Sequence, residues 1–137
     1  MKKPPKPEED FRAWIKKAES DLKTAEHTLT LKERCPFDTV CFHAQQCAEK
    51  YLKAFLVYRS IDFPKTHDIR LLMQRVLADV RLGVSIEEVI PLNRYTIEAR
   101  YPGNWEPFDR KEAEDAVSIA RKVRKAVRAN LPMARRK

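Results

Sequence analysis

The sequence predicts an all-α fold, an antiparallel up-and-down bundle of four long helices plus a shorter helix, on three grounds. Apolar residues recur at steps of three and four in five successive segments, the spacing of a single helix face. No segment alternates with period two for long enough to demand a strand, and no internal repeat divides the chain. The 137 residues include only 2 glycines and are 43% apolar and 35% charged, the composition of one compact domain with a charged surface.

Residues 1–7 hold three prolines and three lysines and are expected to form a disordered basic arm. The bundle then spans 8–131, and 132–137 form a basic tail. The first helix runs from Glu8 to Leu31, with Phe11, Trp14, Ile15, Ala18, Leu22, Ala25 and Leu29 on one face. Glu8, Glu9 and Asp10 stand at its start, where the positive end of the helix dipole favours acids. Cys35-Pro36 breaks it, and Asp38 or Thr39 is placed to cap a second helix from Val40 to Tyr58. The apolar arc of that helix, from Val40 and Cys41 through Ala44, Cys47 and Tyr51 to Phe55, covers about 160° of the wheel, so it needs neighbours on two sides. The third helix, His67 to Leu82, starts at Thr66 or Asp68, ends at Gly83 and turns Ile69, Leu72, Val76, Leu77 and Val80 inward. A fourth extends from Ile86 to Tyr101, kinked or restarted by Pro91 and ended by Pro102-Gly103. The last, Arg110 to Asn130, carries a seam of Ala113, Ala116, Val117, Ala120, Val123 and Val127. Outside that seam stand Arg121, Lys122, Arg124, Lys125 and Arg128.

Charge is unevenly distributed. Residues 1–115 carry as many acids as bases, so the whole net charge of +8 belongs to the last 22 residues. The resulting basic helix face either keeps the protein in solution or attracts phosphate backbones or an acidic partner. Two isolated glycines exclude a P-loop or a dinucleotide fingerprint, both of which need clustered glycines. Cys35, Cys41 and Cys47 come at six-residue intervals with no CxxC, which reads as reduced core thiols in a reducing cytoplasm and indicates neither a metal site nor a disulfide. No run approaches the roughly twenty apolar residues of a membrane span, and the N-terminus lacks an apolar signal region, so a soluble chain with no membrane partner is expected.

Candidate chemistry is sparse. His27 lies on a polar helix side, His43 at the edge of an apolar arc, and His67 at a helix start, all positions where hydrogen-bonded structural roles are common. No nucleophile has a histidine and an acid at a triad spacing. Arg94, Glu98 and Tyr101 follow at i, i+4 and i+7 and share a helix face of about 60°. Such a trio either binds a phosphate or a base, or is an ordinary intrahelical ion pair beside a packed tyrosine. The loop aromatics Tyr101, Trp105 and Phe108 read as sealing the bundle end more readily than as an oligomer contact.

Three motifs in order, Phe42-His43-Ala44-Gln45-Gln46-Cys47-Ala48-Glu49-Lys50-Tyr51-Leu52-Lys53-Ala54, Pro64-Lys65-Thr66-His67-Asp68-Ile69 and Glu98-Ala99-Arg100-Tyr101-Pro102-Gly103, resemble the HEPN domain family of prokaryotes. Trp14, Ala18, Asp21 and Leu22 resemble the family's opening helix, so that the likeness runs from about Phe11 to Val127. It implies an antiparallel helical bundle, homodimerisation, and a minimal nucleotidyltransferase as partner, often in toxin–antitoxin arrangements. Catalytic members carry Arg-x4-6-His for metal-independent RNA cleavage, and some extend it to Arg-x4-His-x-Tyr, whose tyrosine the partner modifies with AMP. On this chain the longer motif falls on Arg94, Ala99 and Tyr101, with the histidine missing. The expectation is therefore a non-catalytic HEPN-like binding domain without a cofactor. It would associate with the nucleotidyltransferase and bind nucleotide or RNA through Arg94, Glu98, Arg100 and Tyr101, with Tyr101 at the position of AMP modification. The alternative is a HEPN-type ribonuclease toxin in which His43 or His67 acts as a displaced histidine beside Arg94. A third reading is a structural oligomer whose basic helix only solubilises it.

Overall fold

The computed structural model describes residues 3, 4 and 6–133. Residues 1, 2 and 5 of the expected arm and 134–137 of the expected tail lie outside the described residues. The fold is all-helical, as the apolar periodicity predicts, and no strand occurs among the described residues.

Helix α1 spans Phe11–Leu29, with Asp10 accepting the backbone N–H of Arg12 at 2.9 Å. It starts three residues later than expected because Pro7–Glu9 forms a separate 3-10 turn and Asp10 caps the helix instead of lying inside it. Helix α2 spans Phe37–Tyr58 and starts earlier than expected. Pro36 occupies the cap position without a side-chain hydrogen bond, and Asp38 falls in the first turn, where it accepts the Thr39 N–H at 2.8 Å. Phe11 meets Tyr58 edge-on at 5.1 Å and Asp21 meets His43 at 2.8 Å, so α1 and α2 run antiparallel.

Helix α3 spans only Ile69–Leu77, capped by Asp68 through the Arg70 N–H at 3.0 Å. It ends at Ala78, and Gly83, with φ +77°, closes a loop farther on. The expected fourth helix is a chain of short pieces: α4 at Ile86–Val89, a 3-10 turn at Ile90–Leu92, and α5 at Tyr95–Glu98. Pro91 has no N–H to donate, so the ladder breaks there, while Ser85 and Glu88 form a capping box that starts α4. Helix α6 spans Arg110–Arg128, with Asp109 accepting the Glu112 N–H at 2.8 Å. Arg110 reaches the carbonyls of Leu29 and Leu31 at one end of α6 while Arg124 reaches Glu19 farther along, so α6 runs against α1.

α2 is the central rod, buried over most of its length between Val40 and Leu56 with α1 and α6 against it. Fully buried alanines, Ala18, Ala44, Ala48, Ala113 and Ala120, bring these helices close, and Leu52, Phe55, Leu56 and Leu72 fill the space between. Each such large side chain contributes about 1.5–3 kcal/mol by leaving water. After α2, Ser60 takes φ +58° in the left-handed region usual for helix C-terminal glycines, and Ile61 N–H closes on the Leu56 carbonyl at 2.9 Å. The following segment has little helix and doubles back along α2, delivering His67 beside Glu49. No helix among the described residues is long and apolar enough to cross a membrane.

Candidate functional site

Arg94 lies just before α5, which turns its side chain onto the start of α6. Its guanidinium donates to Glu98 Oε1 at 3.1 Å, pairs with Glu112, and lies over the rings of Tyr95 and Phe108 at 5.0 and 5.8 Å. Glu112 Oε2 also accepts the hydroxyl of buried Tyr95 at 2.8 Å. Burial raises the Tyr95 hydroxyl to about 12 and the neighbouring Cys41 thiol likewise to about 12, so both stay protonated near neutrality. Two carboxylates therefore share one guanidinium, and the surplus charge at Arg94 is negative.

The expected Arg94, Glu98 and Tyr101 trio is divided. Arg94 and Glu98 meet, but Tyr101 lies beyond the end of α5, 54% exposed. The guanidinium of Arg100 lies 5.5 Å from the Tyr101 ring and 5.5 Å from the Phe42 ring, without a carboxylate partner among the described residues. An open cleft of about 650 Å³ borders this turn, lined among others by Phe37, Ala99, Arg100, Tyr101 and Trp105. The aromatic loop likewise divides. Phe108 seals the bundle end against Tyr95 at 5.6 Å, whereas Trp105 folds its indole onto Gly103 and Tyr101 faces outward. Trp105 fits there because residue 103 has no Cβ.

His43 and His67 each belong to a separate network. His43 Nδ1 is 2.8 Å from Asp21, which also accepts Lys50 at 2.6 Å. Burial alone would raise the Asp21 carboxyl, yet the hydrogen bonds from His43 and Lys50 hold it below its usual value. His67 Nδ1 is 2.9 Å from Glu49 Oε1, and Glu49, only 2% exposed, also accepts from Gln45 at 2.9 Å and Lys53 at 2.9 Å. Among the described residues no hydrogen bond joins either ring to Arg94. The rings of His43 and Phe42 do stand edge to face at 5.3 Å, which sets His43 one side chain away from Arg100.

The basic face of α6 is partly neutralised. Arg124 forms a two-pronged pair with Glu19 at 2.7 and 3.1 Å, Arg121 pairs with Glu26, and Arg128 donates to the Tyr51 hydroxyl at 3.3 Å. These contacts clamp α6 to α1 and α2, and with Lys23 and Lys125 the same charged side chains line a groove of about 590 Å³. Lys122 points toward Glu88 of α4, 4.0 Å away.

Sequence reading missed Glu112, Phe108 as the Arg94 platform, and Asn93. Asn93 accepts the Ile69 N–H at 2.9 Å and donates to Asp68 at 3.1 Å, tying the start of α3 to the residue before Arg94. The capping aspartate three residues ahead of Glu112 signals where α6 begins, but not that Glu112 faces Arg94.

The family model described as HEPN domain matches residues 11–130. A protein of Methanocaldococcus jannaschii named "Putative toxin MJ1304" is 31% identical over 118 residues, covering 77% of this chain and 75% of the relative. The crystal structure of TT1696 from Thermus thermophilus is similar with a TM-score of 0.70 at 31% identity, covering 88% of this chain and 98% of that one. That of ST0689, an archaeal HEPN homologue, is similar in fold with a TM-score of 0.67 at 22% identity, covering 88% and 97%.

Proposed function

The chain belongs to the HEPN domain family, and on that footing we propose that it is a member that binds and does not cut. The observation that carries this reading is Ala99, a methyl group where the ribonuclease motif has its imidazole. No group of near-neutral pKa stands at that position to take a proton from a ribose hydroxyl or give one to the leaving oxygen. The engagement of His67 with Glu49 supports the same reading.

The domain binds nucleotide or RNA through the exposed turn at the end of α5, and docks a minimal nucleotidyltransferase within a toxin–antitoxin-type system. The word toxin in the name of the M. jannaschii relative supports that setting. Exposed Tyr101 offers its hydroxyl for AMP transfer, and exposed Ile97 beside it supports a contact with a second copy. Three buried free thiols suit a reducing cytoplasm. One observation favours the ribonuclease alternative: Asp21 orients the His43 ring as a carboxylate orients a catalytic imidazole. The test is incubation of the purified protein with single-stranded RNA in the presence of a chelator. Intact RNA together with measurable RNA or nucleotide binding is the expected result. Cleavage that disappears on His43→Ala would replace this reading with the ribonuclease one.

A further inference from the structure

Resting on that reading, we infer that the phosphate-contacting guanidinium of this face is Arg100, and that Arg94, the arginine at the motif position, is a structural staple between α5 and α6. Charge accounting at the two side chains separates them. Arg94 already serves two carboxylates, Glu98 and Glu112, and lies over two rings. A phosphate arriving there meets a surplus negative charge and must displace a carboxylate. Displacing Glu112 would also strip the buried Tyr95 hydroxyl of its acceptor.

Arg100 is in the opposite situation. It is exposed and has no carboxylate partner among the described residues, and two aromatic rings hold it, at 5.5 Å each. A guanidinium set between two rings keeps its N–H groups unclaimed by acceptors, which suits forked donation to phosphate oxygens. Beyond Phe42 stand His43 and Lys50 against one carboxylate, Asp21. The cleft beside Arg100 also carries Asp38, Glu98 and Glu106, none of which forms an ion pair with it among the described residues. Exposed Tyr101 supplies a face on which the base attached to that phosphate can stack. The ligand chemistry is a phosphate beside an unstacked base, from a free ribonucleoside monophosphate or from single-stranded RNA.

The test measures binding of both probes, a fluorescently labelled short RNA by anisotropy and a ribonucleoside monophosphate by calorimetry, to the full chain and to Arg100→Ala, Arg100→Lys and Arg94→Gln. Loss of a charged forked contact corresponds to roughly a tenfold to hundredfold loss of affinity for Arg100→Ala, with partial recovery in Arg100→Lys. Arg94→Gln is expected to lower the thermal midpoint while the folded protein keeps its affinity within about twofold. Affinity for the RNA alone identifies a strand as the source, and affinity for both identifies the free nucleotide as sufficient. If the wild type binds while Arg100→Ala binds equally well, or if a folded Arg94→Gln loses binding, the assignment to Arg100 fails and the binding reading stands. A wild type that binds neither probe overturns both.

Discussion

Replacing Glu49 by methionine is expected to be the most damaging conservative-volume change near the candidate histidines. Glu49 is 2% exposed and its side chain accepts from Gln45, Lys53 and His67, while the Lys53 side chain is itself 8% exposed. Glu49→Met leaves the Lys53 ammonium buried without a counter-charge, a cost of about 3–5 kcal/mol. For a chain of this length that lowers the thermal midpoint by about 10–20 °C. Lys53→Met added to the first change removes the stranded charge and restores most of the loss, since an apolar pair of similar volume is about neutral in such a place. His67→Ala removes a ring that is 56% exposed and costs at most about 1 kcal/mol. Thermal unfolding followed by far-ultraviolet circular dichroism at neutral pH checks the set. If Glu49→Met costs under about 1 kcal/mol, or if His67→Ala costs as much, the network is not the buried anchor described and His67 regains standing as a chemical group.

Other expectations concern separate sites. The Thr96 hydroxyl is buried without a hydrogen-bond partner among the described residues, so Thr96→Val should stabilise by about 1 kcal/mol in urea unfolding; a loss of stability would mean that the hydroxyl has an acceptor. Asp21 and Glu19 titrate below their ordinary values of 3.8 and 4.5, for burial raises both but hydrogen bonds from His43 and Lys50, and from Arg124 and Tyr51, outweigh it. Depressed folded-state values make their contribution complete above that range and progressively lost as pH falls through it, so the stability gap between wild type and Asp21→Asn should narrow below about pH 4. A gap that widens toward acid would reverse the sign of the argument. If α6 also meets nucleic acid, neutralising Lys122 and Lys125 should flatten the salt dependence of RNA affinity by about two phosphate contacts, whereas Arg124→Ala should mainly loosen α6 from Glu19 and lower the melting midpoint. An unchanged salt slope would leave the face as solvated surface.

Periodicity made α1, α2 and α6 legible because each buries one long stripe, and the wide arc of α2 foretold its two neighbours. Caps were harder. Asp10 and Asp38 are both acids near a helix start, and only the backbone decides that one caps and the other lies inside. Residues 86–101 show the limit of pattern reading: the apolar spacing fits one helix, yet Pro91 and the turn at Asn93 and Arg94 redirect it. The end of α5 at Glu98 in turn parts Tyr101 from Arg94 and leaves its ring beside Arg100. The pairing of Arg94 with Glu112 and of His67 with Glu49 depends on where separate segments come to rest, and spacing along the chain holds no record of it.

The embrace of α2 by α6 has a kinetic corollary. Arg110 and Leu29, joined by a hydrogen bond, are 81 residues apart, so this fold completes itself only through a contact of high sequence separation. Loop closure over such a span costs little more than over a short one at equilibrium, but it delays the productive encounter. During synthesis α1 and α2 emerge well before α6, so the flank of α2 that α6 covers stays open until residues 110–128 arrive. A chain halted before residue 110 would expose that flank and invite aggregation.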